Sequence, residues 1–166
     1  LGTLQQACGL LWDMSPQQVL DTAQSLYEKH KATTYPRTDC GYLPESMREE
    51  IPSVLSAIGL SDPECSSLLS GLNTSFVSRI WNDKKITAHH GIIPTRNAFK
   101  FSALSEAERR VYTLIRRNYL AQFLPLHESD ITRLQFDIGG QLFRTTGRTE
   151  IVMGWKVLFS KEEEDS

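Results

Sequence analysis

From Thr3 to Trp12, apolar residues recur at three-and-four spacing, and Leu4, Ala7, Cys8 and Leu11 share one side of a predicted first helix. Ser15-Pro16-Gln17-Gln18 then predicts a second helix start, with Ser15 as N-cap, Pro16 at the first position and Gln18 completing a capping box. Val19, Ala23, Leu26 and Tyr27 give that helix an apolar face as far as about His30. Pro44 to Ile58 reads as one further helix, with Met47, Ile51, Val54, Leu55 and Ile58 on one side and Gly59 closing it. Pro52 kinks it or shifts its start. A short helix is expected from Pro63 to Leu72, with a loop from Gly71 to Ser75. From Ala103 to Leu124 the pattern is clearest. Ser105 and Glu108 form a capping box, and Ala107, Val111, Leu114, Ile115, Asn118 and Tyr119 trace the inner side. The pairs Arg109-Arg110 and Arg116-Arg117 suit either contact with DNA or a solvated outer face, and the second reading is favoured.

After Pro125 the period drops to two. Leu134, Phe136 and Ile138 alternate with Arg133, Gln135 and Asp137, Gly139-Gly140 makes a two-residue turn, and Gln141 to Thr149 returns as a second strand. The pattern predicts an α+β fold, mainly α: a helical domain over residues 1–124, then a β-hairpin with an acidic tail over 125–166.

Between the second and third helices lies Thr33-Thr34-Tyr35-Pro36-Arg37-Thr38-Asp39. Pro36 disfavours the α region for Tyr35, and in extended chain residues two apart project to the same side. Tyr35, Arg37 and Asp39 then share a face. A phenol, a guanidinium able to grip two phosphate oxygens and a carboxylate suit attack on a phosphodiester. They also suit a strand end whose Tyr-Pro opens a turn and whose Arg and Asp form a surface pair.

At 166 residues and 40% hydrophobic content, the chain can bury a core of its own. Three widely spaced cysteines, Cys8, Cys40 and Cys65, argue against both a disulfide framework and a zinc ribbon, and fit reduced thiols in a cytoplasmic protein. No apolar run is long enough to cross a bilayer. The opening at Leu1 without a methionine suggests a piece of something longer. The net charge of −2 is awkward for a nucleic-acid binder, but its distribution is uneven. Between Arg79 and Phe101, the cations Arg79, Lys84, Lys85, Arg96 and Lys100 face only Asp83, whereas acid concentrates in Glu162-Glu163-Glu164-Asp165. A phosphate-binding P-loop is excluded, since Gly139-Gly140 has no following Gly-Lys-Ser/Thr. Adjacent His89 and His90 on extended chain point to opposite faces, so they form no metal pair.

Leu26-Tyr27-Glu28, Tyr35-Pro36-Arg37-Thr38-Asp39-Cys40 and Tyr42-Leu43-Pro44 together resemble the active-site tyrosine region of type IA DNA topoisomerases, closest to the bacterial topoisomerase III branch. Lys84-Lys85-Ile86-Thr87-Ala88-His89-His90-Gly91-Ile92-Ile93-Pro94-Thr95 is similar to that branch's other active-site segment, in the same order. The resemblance implies a catabolite-activator-like, winged-helix domain carrying the tyrosine, with the hairpin belonging to the neighbouring arch domain. It implies Tyr35 as nucleophile, Arg37 and His89 as phosphate ligands, and a 5′-phosphotyrosyl intermediate that supports ATP-independent relaxation or decatenation. Asp39, Lys84, Lys85, His90 and Arg96 are then candidates for contact with single-stranded DNA. The expected cofactor is Mg2+ for the full enzyme, bound on a domain absent here, with no metal ligands in this chain. Expected partners are single-stranded DNA and the remaining domains of the same topoisomerase, with no membrane; the expected setting is the bacterial cytoplasm, at the nucleoid. The alternative is a non-catalytic winged-helix module that binds DNA or protein.

Overall fold

Two helices joined by a three-residue turn begin the chain in the computed structural model, which describes residues 1–159. They are α1 (Gly2–Trp12) and α2 (Pro16–Glu28). The turn closes because Asp13 takes a left-handed conformation that ends α1, and because the capping box starts α2. The backbone N–H of Ser15 donates to Gln18 Oε1 at 2.8 Å, and that of Gln18 donates to Ser15 Oγ at 3.2 Å. Val19, Ala23 and Leu26 are fully buried. Leu11 is not: it stays exposed, as does Leu10, so the buried face of α1 is narrower than its apolar spacing predicts.

The third expected helix divides. Glu45–Glu50 is a 3-10 turn, and α3 runs Ile51–Ser61 with Pro52 in its first turn. Proline has no N–H to give and clashes with the carbonyl four residues back, so an α-helix must start there rather than pass through. Gly59 lies inside α3 instead of ending it. A Cβ there would come 3.2 Å from the Leu69 side chain, so the glycine lets α4 (Ser66–Ser70) pack close. A 3-10 turn, Pro63–Cys65, precedes α4. The last helix, α5 (Glu106–Leu120), is shorter than the apolar pattern suggests and is continued by a 3-10 turn at Ala121–Phe123. Its capping box is present, and Val111, Tyr112, Leu114, Ile115, Tyr119 and Leu120 form the centre of the core.

Arg116 departs from the expected solvated face. It is buried, its Nη1 donates to Asp62 Oδ2 at 2.6 Å, and its guanidinium lies over the rings of Phe101 and Tyr112 at 5.4 and 5.7 Å. A planar, weakly hydrated cation can be buried this way once a carboxylate and aromatic faces meet it. Burial also pushes the Cys8 and Cys65 thiols up to about 11, and Cys8, Cys40 and Cys65 are all free.

The chain divides into two compact units, Leu1–Phe123 and the part from Leu124 onward. In the second, β1 (Glu128–Ile138) pairs antiparallel with β2 (Gln141–Val152), so the return strand runs past the expected Thr149. Gly139 and Gly140 both have positive φ, 63° and 82°, which is why two glycines stand at this two-residue turn. Gly154 also has positive φ, and a Cβ on it would collide with the Pro125 carbonyl oxygen. The acidic run from Glu162 to Asp165 lies outside the described residues.

Candidate functional site

Tyr35 and its neighbours sit on extended chain whose exposure alternates: Tyr35, Arg37 and Asp39 are exposed, while Pro36 and Thr38 are buried. The period of two expected from Pro36 is therefore realised. What holds the segment is not local. The N–H of Thr34 donates to the Ile93 carbonyl at 2.9 Å, the N–H of Thr95 to the Ala32 carbonyl at 3.0 Å, and Thr33 bridges Pro94. The Thr34 hydroxyl accepts from the Ile93 N–H at 3.0 Å. Further along, the N–H of Gly91 donates to Tyr42 O at 2.9 Å, and Leu43 pairs beside Trp81. The two motif segments are thus tied at both ends, and the chain between Trp81 and Gly91 must pass close to Tyr35.

The consequence is a ring contact. The Tyr35 and His89 ring centroids lie 5.1 Å apart with the planes tilted by 42°, and both residues line a concavity of about 130 Å³ with Ile86, Ala88 and His90. Tyr27, on α2, meets Tyr35 edge-on at 5.7 Å. Tyr35 nevertheless keeps 39% of its surface exposed, and His89 is exposed. His90 differs, because its Nδ1 lies 2.8 Å from the Gly91 carbonyl and donates to it, which turns that imidazole toward the backbone.

Arg37 does not line this concavity and makes no hydrogen bond or ion pair with the described residues; Asp39 makes none with Arg37. Lys84 and Lys85 lie on a 3-10 turn, Asp83–Lys85, capped by Asn82, whose side-chain oxygen accepts from the Lys84 N–H. Lys85 is held: its Nζ donates to Tyr42 Oη at 2.9 Å and sits 4.7 Å from that ring's centroid. Lys84 is exposed. Arg96 lies apart from His89, beside a separate hollow of about 190 Å³ with Thr34, Glu50 and Tyr119. Among the described residues no group of three or more His, Cys, Asp or Glu side chains is placed to hold a metal ion. No helix among them is long and apolar enough to cross a membrane.

Two residues in this framework escape sequence reasoning. Tyr27 falls within the Leu26-Tyr27-Glu28 part of the family resemblance, but its spacing assigns it only to the apolar face of α2, and it backs the Tyr35 ring. Glu108 reads only as a cap, yet it also anchors α2. Ser25 Oγ donates to its Oε1 at 2.7 Å, His30 Nε2 lies 3.1 Å from the same oxygen, and the Ser105 N–H donates to Oε2 at 2.7 Å. Burial pushes this carboxyl up, but the hydrogen bonds from Ser25 and Ser105 and the charge of His30 outweigh it and hold Glu108 at about 2.

Comparison with known proteins gives the same family over the whole length. The family model described as DNA topoisomerase matches residues 1–166. The chain is 43% identical over 164 residues to DNA topoisomerase 3 of Vibrio cholerae and 42% identical over 164 residues to that of Haemophilus influenzae. It is 34% identical over 170 residues to that of Bacillus cereus. Each match covers 99% of this chain but only 25%, 25% and 23% of the relative, so the chain spans about a quarter of the proteins it resembles. Matched from end to end by the family model and by these relatives, the chain belongs to the DNA topoisomerase family, on its topoisomerase III-like, type IA side.

Proposed function

We propose that this chain is the tyrosine-bearing part of a type IA topoisomerase and that Tyr35 is its nucleophile toward single-stranded DNA. The Tyr35 oxygen attacks a phosphodiester phosphorus, an O–P bond forms, and the bond from phosphorus to the 3′ oxygen breaks. The phenol's proton ends on that leaving oxygen, giving a free 3′-hydroxyl and a 5′-phosphotyrosyl link. Religation is the reverse exchange of one phosphodiester for another, so it needs no ATP, and the interval between the two steps allows strand passage. Tyrosine is a poor nucleophile at neutral pH, its unperturbed pKa being near 10, so cationic or hydrogen-bonding partners must stabilise the charge that builds on the phosphoryl oxygens. His89 is one such donor. Arg37 is the other, reaching the phosphate from the same exposed side of the segment.

The observation that carries this reading is the meeting of Tyr35 and His89, 54 residues apart in sequence, in one open concavity. A purely packing tyrosine has no need of a neighbouring imidazole at its exposed edge. The domain bearing Tyr35 is read as catabolite-activator-like and the hairpin as part of an arch domain, with single-stranded DNA and the remaining domains as partners in a bacterial, nucleoid-associated enzyme. Magnesium is read as the full enzyme's cofactor, held on another of its domains. The test is denaturing electrophoresis of the full-length protein with labelled single-stranded DNA. Wild type should retain label covalently and Tyr35→Phe should retain none; label retained by the Phe variant refutes the assignment.

A further inference from the structure

A second hollow, of about 270 Å³, shares the Tyr35 ring with the His89 concavity but is walled by Tyr27, Lys31, Thr33, Thr95 and Asn97. Its volume is several times a water molecule's share of the liquid, about 30 Å³. Thr33 lines it and is 1% exposed, with its hydroxyl sealed from solvent. Asn97 is exposed at the rim, and its side-chain amide makes no hydrogen bond with the described residues. Lys31 holds a left-handed backbone, φ 52°, that no glycine relieves, and its Nζ stands 5.8 Å from the Tyr27 ring centroid. Positive φ at a non-glycine residue is strained and persists where the surroundings enforce it. Here Thr95 secures the bend, since its N–H donates to Ala32 O and its hydroxyl donates to Lys31 O.

An aromatic wall, an amide with free donor and acceptor and a cation at the rim are the elements that bind an unstacked nucleobase and its phosphate. We propose that this hollow is a nucleobase subsite, taking one base of the single strand next to the phosphate that Tyr35 attacks. The base edge meets Asn97, its face lies along Tyr27, and Lys31 holds the adjoining phosphate. The subsite deepens the function proposed above and rests on single-stranded DNA being the substrate.

The test is an abasic scan on the full-length protein. Affinity is measured for a series of single-stranded oligonucleotides, each lacking one base. In wild type, one position should weaken binding about ten-fold when its base is missing, a size within the range of single base-aromatic contacts. In Asn97→Ala and, separately, in Tyr27→Leu, that position should no longer stand out. Asn97 is exposed, so its variant remains informative even if Tyr27→Leu disturbs packing. A flat wild-type profile, or a ten-fold loss that persists unchanged in Asn97→Ala, overturns the subsite. Failure of the nucleophile is read separately, as covalent label retained by Tyr35→Phe.

Discussion

Arg116 and Asp62, 54 residues apart in sequence, form an ion pair at 2.6 Å in which each side chain keeps only 10% of its surface exposed. Cys65 Sγ also lies 3.5 Å from the same carboxylate oxygen, so the pair fastens the Pro63–Cys65 turn to the middle of α5. Removing one partner strands a buried charge, which costs about 3–5 kcal/mol. Arg116→Met should therefore lower the urea midpoint of this unit sharply. A midpoint within error of wild type would show the pair to be energetically neutral.

His89→Gln in the full-length enzyme should slow cleavage by about 10²–10³, the range for loss of one donor to a developing oxyanion. Strand binding should change little. His90→Ala should be far milder, because its ring nitrogen faces the Gly91 carbonyl. Single-turnover cleavage of a labelled strand distinguishes the two, and equal effects would remove His89 from its assigned role.

Arg37→Lys tests the planar grip on phosphate. Charge is kept and a two-point contact would be lost, so the cleavage rate should fall while the urea midpoint stays at the wild-type value, Arg37 being exposed and without an ion pair among the described residues. Unchanged cleavage would argue that Arg37 does not touch the phosphate.

Glu108 gives the helical unit an acid-sensitive joint. Its folded-state value of about 2 lies below the ordinary glutamate value of 4.5, so the carboxylate's contribution is complete above about 4.5 and is lost as pH falls toward 2. That contribution is roughly 3 kcal/mol. Thermal unfolding followed from pH 6 down to 3 should show a steep loss in wild type and a shallower one in Glu108→Gln, which starts lower. Parallel curves for the two proteins would refute the role.

Salt should weaken single-strand binding, because cations between Arg79 and Lys100 release counterions when they meet phosphate. Lys84 is exposed, whereas Lys85 is engaged by Tyr42. Lys84→Ala should accordingly reduce the slope of log affinity against log salt by about 0.7, the single-strand increment. No change in slope would place Lys84 off the DNA path.

Both capping boxes were legible in the sequence because each is spelled within four residues, Ser15 with Gln18 and Ser105 with Glu108. So was the alternation at Tyr35, Arg37 and Asp39, since Pro36 acts on its immediate neighbour. The hairpin followed from its period and its glycine pair. The joining of residues 32–34 to 93–95 was not legible: nothing local in either stretch names the other, and a single isolated bridge, Thr33 to Pro94, records the pairing among the described residues. Arg116 misled for the same reason. Its neighbours on α5 say solvent, and the carboxylate that buries it comes from a distant turn. The arginine next to it in sequence, Arg117, gave no clue, because helix position alone does not reveal such a partner.

That long-range pairing also fixes when the site can exist. Thr34 and Ile93 are 59 residues apart, so a ribosome adding about 5–20 residues per second needs roughly 3–12 s to make the second after the first. Through that interval Tyr35 has left the peptidyl-transferase centre with neither its imidazole neighbour nor the backbone that braces it. Closing the loop must wait for the later strand, and loop closure is paid for before its contacts form. A nascent chain therefore carries Tyr35 without its His89 contact, which waits until residues 89–95 have been made.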